Sequence, residues 1–425
     1  MDEPVYQSIR TEFITGPAGT GKTFEVKRRV AEDPKYGQVC ATTGIAAVNL
    51  GTITLNSMIG YFDTESLRDL YVTGRLSQKL KGLAEERRNL IIDEVSMMDA
   101  GQLDIFYQAI RGINEGGYDY GLVLAGDFCQ LAPVKATWAF RAECWPDFAA
   151  STTRLSKIWR QDNPRFLEAL NLARAGQGPE CVEVLKELGV EFAPALDGRF
   201  DGTTIIPKND GVDRFNMVAL QRLATSALVL KAKRWGRQRP EWRLIPDVLR
   251  SKMGALVMIL ANDNAGWAYA NGDLGHIETA ENGLLGVRMV RTGGLSLIGP
   301  IERLALQDDN PPGMEKPRGL AAACRMETEA RQMEAPFYVP ESRKWAVGGI
   351  KYYPVRLGYA CTVHKTQGLT LDKIQVDCRN HFFSEPSMAY VGMSRVRSPQ
   401  GLRIVGTPEL LAGRIKTSPE VQEWI

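Results

Sequence analysis

Gly16-Pro17-Ala18-Gly19-Thr20-Gly21-Lys22-Thr23 follows the apolar run Phe13-Ile14-Thr15 and precedes a helix-compatible stretch, Phe24–Ala31. This G-x-x-x-x-G-K-[ST] spacing between strand and helix constrains the fold more than any other feature of the chain. The glycines let the backbone curl so that its N–H groups face phosphate oxygens, and the following helix N-terminus adds positive potential. Lys22 is placed to reach β and γ phosphates, and the Thr23 hydroxyl to ligate Mg2+. Gln38-Val39-Cys40-Ala41, Leu90-Ile91-Ile92 and Leu122-Val123-Leu124-Ala125 read as further strands, buried on both faces of a parallel sheet, with Ala100–Ile113 as a helix between them. Strand and helix in alternation predict an α/β layer fold.

Leu90–Ile92 ends in two adjacent carboxylates, Asp93 and Glu94. At the carboxyl end of a strand in an open α/β sheet such side chains face the ligand crevice. Asp93 would hold the Mg2+ shell, and Glu94 would orient and deprotonate an attacking water. Taken alone, an Asp-Glu pair is usually a solvated turn. Downstream of a phosphate loop the balance reverses, and ATP hydrolysis is the expected reaction. Gln130, in Gly126-Asp127-Phe128-Cys129-Gln130-Leu131, follows another strand of the same sheet and either senses the γ phosphate or satisfies loop backbone groups.

The 425 residues exceed a single simple core. Segment 53–88 breaks the α/β rhythm, is rich in Lys, Arg and Glu, and reads as an insertion at the sheet edge. A second unit begins near Ser151, and residues 226–350 are β-rich and Gly-punctuated, as a small β-barrel would be. After Tyr353 the α/β pattern returns. Lys plus Arg number 52 against 50 for Asp plus Glu, a formal charge of +2, so any basic track for a polyanion must be local. The 7 cysteines form no CxxC pair and the histidines number 3, which argues against a disulfide framework and a zinc site. No apolar run is of membrane-spanning length, and Met1-Asp2-Glu3-Pro4 carries acid where a secretory signal carries base, so a cytoplasmic setting is expected.

The ordered motifs resemble those of superfamily 1 DNA helicases, in the Pif/RecD/Dda-like branch that moves 5′→3′. The residues carrying the likeness are the phosphate loop, Thr42-Thr43-Gly44-Ile45-Ala46-Ala47, Asp93-Glu94-Val95-Ser96-Met97, Gly126–Leu131, Leu155–Gln161, Asn271-Gly272-Asp273-Leu274-Gly275, Tyr359–Gly368 and Tyr390–Arg395. The resemblance implies two RecA-like parallel-sheet P-loop NTPase domains with ATP and Mg2+ between them. The first would span 1–150, with 53–88 as a strand-separating wedge or pin. The second would comprise 151–225 and 351–425, interrupted by an SH3-like β-barrel at 226–350. It implies nucleotide contacts along Gly16, Pro17, Ala18, Gly19, Thr20, Gly21, Lys22 and Thr23, with Gly368, and makes Gln130 the coupling glutamine. It places Arg160 and Arg395 on the γ phosphate, where guanidinium groups stabilise transferring phosphoryl charge once the domains close. DNA contacts fall on Thr42, Thr43, Asn56 and Ser57, and on His364, Lys365 and Thr366; phosphate contacts of this kind position a strand without reading it. Lys231–Arg243, basic with interleaved Trp235 and Trp242, reads either as a single-strand grip or as a strand and turn packed on the barrel. Tyr61, Phe62 and Tyr71 are candidates for stacking at a fork, or packing residues.

Three departures stand out. Gln7 is too near the loop for the usual upstream adenine-reading glutamine, Asn56-Ser57 replaces His-Ser, and Ser387-Met388 replaces Gly-Gln. The resulting expectation is an ATP-dependent helicase that translocates on single-stranded DNA and unwinds duplex, acting as a monomer on forked DNA alongside replication or recombination proteins, in a bacterium or a phage-infected host. Its rivals are an ATP-gated single-strand clamp or recombination mediator that does not unwind, and an RNA-directed motor.

Overall fold

In a computed structural model of the chain the described residues are 9–133, 136–261, 269, 273–290 and 292–424. Met1–Pro4, Gln7, Asn271 and Gly272, invoked above, lie outside them. The apolar runs of the first third form the strands β1 (Thr11–Thr15), β2 (Gln38–Ala41), β3 (Ile53–Thr54), β4 (Asn89–Asp93), β5 (Gly121–Gly126) and β6 (Thr152–Arg154). Their order is β3-β2-β4-β5-β1-β6 with every pairing parallel. Alternate residues of a strand face opposite sides, so Ile14, Ile91 and Val123 pack with Val26 of helix α1 (Lys22–Glu32). Phe13, Leu90, Ile92, Leu122 and Leu124 join the larger core on the other face. Each such side chain contributes about 1.5–3 kcal/mol of apolar burial, which is why the middles of β1, β4 and β5 are apolar.

Helix α2 (Gly44–Leu50) follows β2. The edge insertion starts as β3 and continues as helices α3 (Leu55–Ile59), α4 (Thr64–Val72) and α5 (Arg75–Glu86). Asp63 and Ser66 form a capping box that starts α4, and Leu67, Leu76 and Leu80 bury against the same core as α6 (Ala100–Glu115). Helix α7 (Trp145–Ala150) leads into β6, so the first sheet continues past residue 150, where the sequence had suggested a boundary.

Next come helices α8 (Pro164–Arg174) and α9 (Gly178–Glu187), strands β7 (Glu191–Ala193) and β8 (Thr203–Ile205), and helix α10 (Asn209–Gln221). The chain then builds a compact unit, 220–357, distinct from 1–219 with 358–425. It runs past the expected 350 because the strand Val355–Leu357 pairs inside it, and at its other margin the first strand starts at Ala227. Its strands are β9 (Ala227–Lys231), β10 (Lys233–Gly236), β11 (Val248–Lys252), β12 (Leu256–Ile259), β13 (Leu274–Glu281), β14 (Leu284–Met289), β15 (Leu295–Ile298), β16 (Ile301–Gln307), β17 (Phe337–Val339), β18 (Lys344–Tyr352) and β19 (Val355–Leu357). Helix α11 (Leu320–Met333) precedes β17. All pairings are antiparallel, in sheets ordered β15-β14-β13-β12-β19 and β10-β18-β16, with β9 and β11 a separate pair. Asn282 and Gly283, at φ 50° and 75°, make the tight turn between β13 and β14. Trp235 stacks on Phe337 at 5.7 Å and Trp242 is buried, so the aromatics of Lys231–Arg243 take the packing role.

Strands β20 (Ala360–Cys361), β21 (Ile374–Asp377) and β22 (Leu402–Val405) complete a second parallel sheet, ordered β20-β8-β21-β22-β7, with helices α12 (Met388–Met393) and α13 (Pro408–Arg414). Beyond α13 the chain returns to the first sheet. Trp424 lies 5.0 Å from Phe128 and 5.6 Å from Phe13 by ring centroids, inside that sheet's aromatic core. Among the described residues no helix is long and apolar enough to cross a membrane, and the cysteines are free.

Candidate active site

The phosphate loop bridges β1 and α1, and the segment lying against it sets its shape. A Cβ on Gly16 would come 2.2 Å from the Leu155 carbonyl oxygen. The Leu155 N–H donates to Thr15 O at 2.7 Å and the Trp159 N–H to Gly19 O at 2.8 Å, so Leu155–Gln161 runs along the loop. A Cβ on Gly19 would meet the Arg160 Cβ at 2.8 Å, which fixes that arginine beside the loop. The buried Lys22 ammonium donates to Gly16 O at 2.8 Å and Pro17 O at 3.1 Å. Burial lowers its pKa, against the pull of Asp127, Glu94 and Asp93.

Because β5 lies between β1 and β4, three carboxyl ends stand side by side: the loop, Gly126–Gln130 and Asp93-Glu94. The Thr23 hydroxyl donates to Asp93 Oδ2 at 2.8 Å, and the Glu94 N–H donates to Oδ1 at 2.8 Å. Burial nevertheless raises the Asp93 pKa. Glu94 is buried and left-handed, φ 57° and ψ 43°, a strained conformation for a residue with a Cβ. Its pKa is pushed up to about 7, by burial first and the Asp93 carboxylate second, while Lys22 and Arg395 pull it down. That is the range in which a carboxylate exchanges protons effectively near neutrality. Buried Gln130 follows β5, its N–H donating to Asp127 O at 2.9 Å.

Arg395 is fully buried and Arg160 half-buried. Burial lowers the pKa of both; for Arg160, pulled down to about 9, Arg395 is the next cause. Arg160 Nε donates to Thr370 Oγ1 at 3.0 Å and Nη1 to Ser394 O at 2.9 Å; Arg395 Nε donates to Val391 O at 2.8 Å. Two desolvated guanidiniums that repel one another, with Glu94 attracting both, make a site that favours an added anion. Gly368 is exposed at φ 73°, and among the described residues no hydrogen bond links it to the loop.

Several residues went unassigned in the sequence. The Ala18 N–H of the loop donates to the Tyr390 hydroxyl at 2.9 Å. Arg174 joins buried Asp127 at 3.1 Å and donates to Trp424 O at 2.7 Å. Gln161 Nε2 donates to Ser394 O at 3.1 Å and Val396 O at 2.9 Å. Phe24 and Trp159 are 70% and 69% exposed and flank Gly21, large apolar faces left beside the loop. Their motif neighbourhood was the only available signal, since all of these bonds but that of Arg174 to Asp127 join residues more than two hundred positions apart.

On the nucleic-acid side, the Thr42 hydroxyl donates to Glu94 O at 2.7 Å, and Thr43 Oγ1 accepts the Ala46 N–H at 3.2 Å as α2 begins. Asn56 and Ser57 are half-buried in α3, whose cap Thr54 bonds Ser57. His364 and Lys365 are half-buried in a 3-10 turn after β20, and burial lowers the His364 pKa. Thr366, expected from the sequence to contact a strand, is fully buried with its hydroxyl donating to Val363 O at 2.6 Å.

Thr23 and Asp93 supply hard oxygen donors that suit Mg2+, and a cation would relieve the buried Asp93 charge. Among the described residues no cluster of three or more His, Cys, Asp or Glu could hold a metal, so the cation would share its shell with phosphate oxygens.

A phosphate loop, a carboxylate pair and two arginines at the rim of parallel sheets define a P-loop nucleoside triphosphatase. Comparison narrows this. An AAA domain family matches residues 3–190. ATP-dependent DNA helicase Pif1 of Bdellovibrio bacteriovorus is 28% identical over 408 residues, covering 93% of this chain and 84% of that protein. The crystal structure of Bacteroides sp Pif1 in complex with ADP-AlF4 superposes with TM-score 0.71 at 23% identity, over 98% of this chain and 92% of that one. Bacteroides Pif1 in complex with ADP-AlF3 and ssDNA superposes at 0.57 with 25% identity, over 97% and 91%. Of several eukaryotic Pif1 relatives the chain spans 43–59% of the length. Over nearly its whole length the chain is therefore similar to Pif1-type superfamily 1 helicases, and its two parallel sheets have the fold of a RecA-like pair.

Proposed function

We propose that the protein is an ATP-dependent DNA helicase that translocates 5′→3′ on single-stranded DNA and separates duplex strands as a monomer. The observation that carries this is the single crevice in which Lys22, Asp93, Glu94, Arg160 and Arg395 lie within one another's electrostatic reach. In this reading the loop amides and Lys22 bind the β and γ phosphates, while Thr23 and Asp93 hold Mg2+, which supplies charge neutralisation when bound. Glu94 takes a proton from the attacking water, and Gln130 orients that water. Arg160 and Arg395 stabilise charge on the equatorial oxygens. The adenine rests on the apolar faces of Phe24 and Trp159 instead of a glutamine.

Coupling arises from covalent geometry. Arg395 ends the segment that starts with Tyr390, so any movement that engages the γ phosphate shifts the second sheet. The Thr42 hydroxyl on Glu94 O links the proposed strand contact to the base. The motor is assigned as a first domain through β6, a second made of the remainder of 155–219 with 358–425, and 220–357 as an inserted SH3-like β domain. In the inserted segment Tyr61 is buried, whereas Phe62 is 83% exposed, and Phe62 is assigned as the wedge residue that stacks at the fork.

Strand displacement on 5′-tailed and 3′-tailed duplexes tests the whole reading. Release from the 5′-tailed substrate alone, dependent on ATP, is expected. Retarded mobility without strand release would indicate the clamp, and stimulation by RNA but not DNA would indicate an RNA motor.

A further inference from the structure

The sheet order β20-β8-β21 places three carboxyl ends together on the second sheet, and only the first carries residues assigned above. After β8 comes Lys208, immediately before α10; after β21 comes the 3-10 turn His381–Ser384. Though 174 positions apart in sequence, Lys208 and Phe382 meet, the ammonium lying 3.6 Å from the ring centroid. The His381 ring stands 4.2 Å from the Phe382 ring, tilted by 39°. Asn380 fixes the turn by accepting the Phe382 N–H at 3.1 Å. Lys208 and His381 are exposed and Phe382 half-buried.

Three features give this column a ligand chemistry. Among the described residues Lys208 makes no ion pair, in contrast to nearby Arg379, which is neutralised by Asp377 at 2.8 Å. The ring beneath the ammonium limits its rotamers, so less side-chain entropy remains to be lost on binding an anion. The N-terminus of the thirteen-residue α10 begins at the next residue and adds positive potential, although Asp210 in its first turn and Glu385 beyond the 3-10 turn offset part of it. Ammonium, helix end and exposed imidazole together fit a phosphodiester with an adjoining base.

We infer that Lys208, Phe382 and His381 form a single-strand contact on the second sheet, with Lys208 on a phosphate, Phe382 positioning it, and His381 stacking on the neighbouring base. This deepens the helicase reading and rests on it. Continuity supports DNA as the source of the phosphate: Ile206 N–H donates to Cys361 O at 3.0 Å, so the strand bearing Lys208 lies beside the one that leads to His364 and Lys365.

Anisotropy titrations of labelled oligo(dT) and oligo(rU), from about 50 to about 200 mM salt, test it on the full chain. Lys208→Ala is expected to weaken oligo(dT) binding about fivefold and to flatten the log affinity against log salt slope by about 0.7, the single-strand value for one phosphate. Phe382→Ala should weaken binding in the same direction and Phe382→Tyr should restore it, with unfolding midpoints recorded to separate loss of fold from loss of contact. His381→Ala should lose affinity without changing the slope. An unaltered affinity and slope for Lys208→Ala overturns the inference, as does a loss confined to oligo(rU). Failure of the unmodified protein to bind either oligonucleotide would instead overturn the helicase reading on which it stands.

Discussion

At the carboxyl ends of β1, β5 and β4 the charged groups are buried: Lys22, Asp93, Glu94 and Asp127. At the corresponding ends of β20, β8 and β21 only Asp377 is buried, paired with Arg379, while His364, Lys365, Lys208 and His381 are half-buried or exposed. The two sheets share parallel pairing and helical cover, so the difference lies in the segment that leaves each strand. A Gly-rich loop lets backbone and segment 155–161 close over the first rim, and desolvation then raises Glu94 and lowers Lys22 and the arginines. The second rim carries no glycine-rich loop among the described residues, so Lys208 and His381 stay exposed and His364 and Lys365 only half-buried, as the proposed strand contact requires.

The sharpest way to break that contrast is Arg395→Ala. It should reduce kcat by about 10³-fold with little change in nucleotide affinity, because its contact strengthens in the transition state. Single-turnover hydrolysis showing only a raised KM would contradict the role. Glu94→Gln should lower turnover by about 10²-fold to 10³-fold. In the unmodified protein turnover should rise roughly tenfold from about pH 6 to 8, as the base loses its proton through about 7; a flat profile would remove Glu94 from the base role. The sign for stability is opposite. A carboxyl whose pKa is raised on folding costs stability once pH exceeds its unfolded value, so Glu94→Gln should raise the unfolding midpoint at pH 8 and leave it near unchanged at pH 4.

The rims also depend on a tail from the second sheet's chain docked in the first sheet's core. Trp424→Ala should destabilise the protein by about 3 kcal/mol, read as a lowered denaturant midpoint. A midpoint unchanged within error would mean the tail is not part of that core. The smallest effect is expected from Phe62→Ala, a several-fold slower strand displacement with single-stranded translocation unaltered. Equal slowing of both would remove Phe62 from the fork.

The strands of the first sheet and the phosphate loop were legible because their information is local: apolar runs of strand length, and glycines at fixed offsets from a lysine. The Asp93-Glu94 pair gained meaning from the same adjacency. The boundaries were less legible, since β6 is three residues long and joins the first sheet only through pairing with β1. Thr366 illustrates the limit at one residue: its motif position suggested a strand contact, and only the fold shows its hydroxyl donating to Val363 O.

What the sequence determined alone is the order of chemical parts along the chain, because each is specified within a few residues by backbone freedom and side-chain type. What only the tertiary structure decided is which parts meet. Tyr390 on the loop amide, Arg174 between Asp127 and Trp424, and Lys208 on Phe382 all join segments brought together by sheet order and desolvation, which no stretch of sequence read by itself specifies.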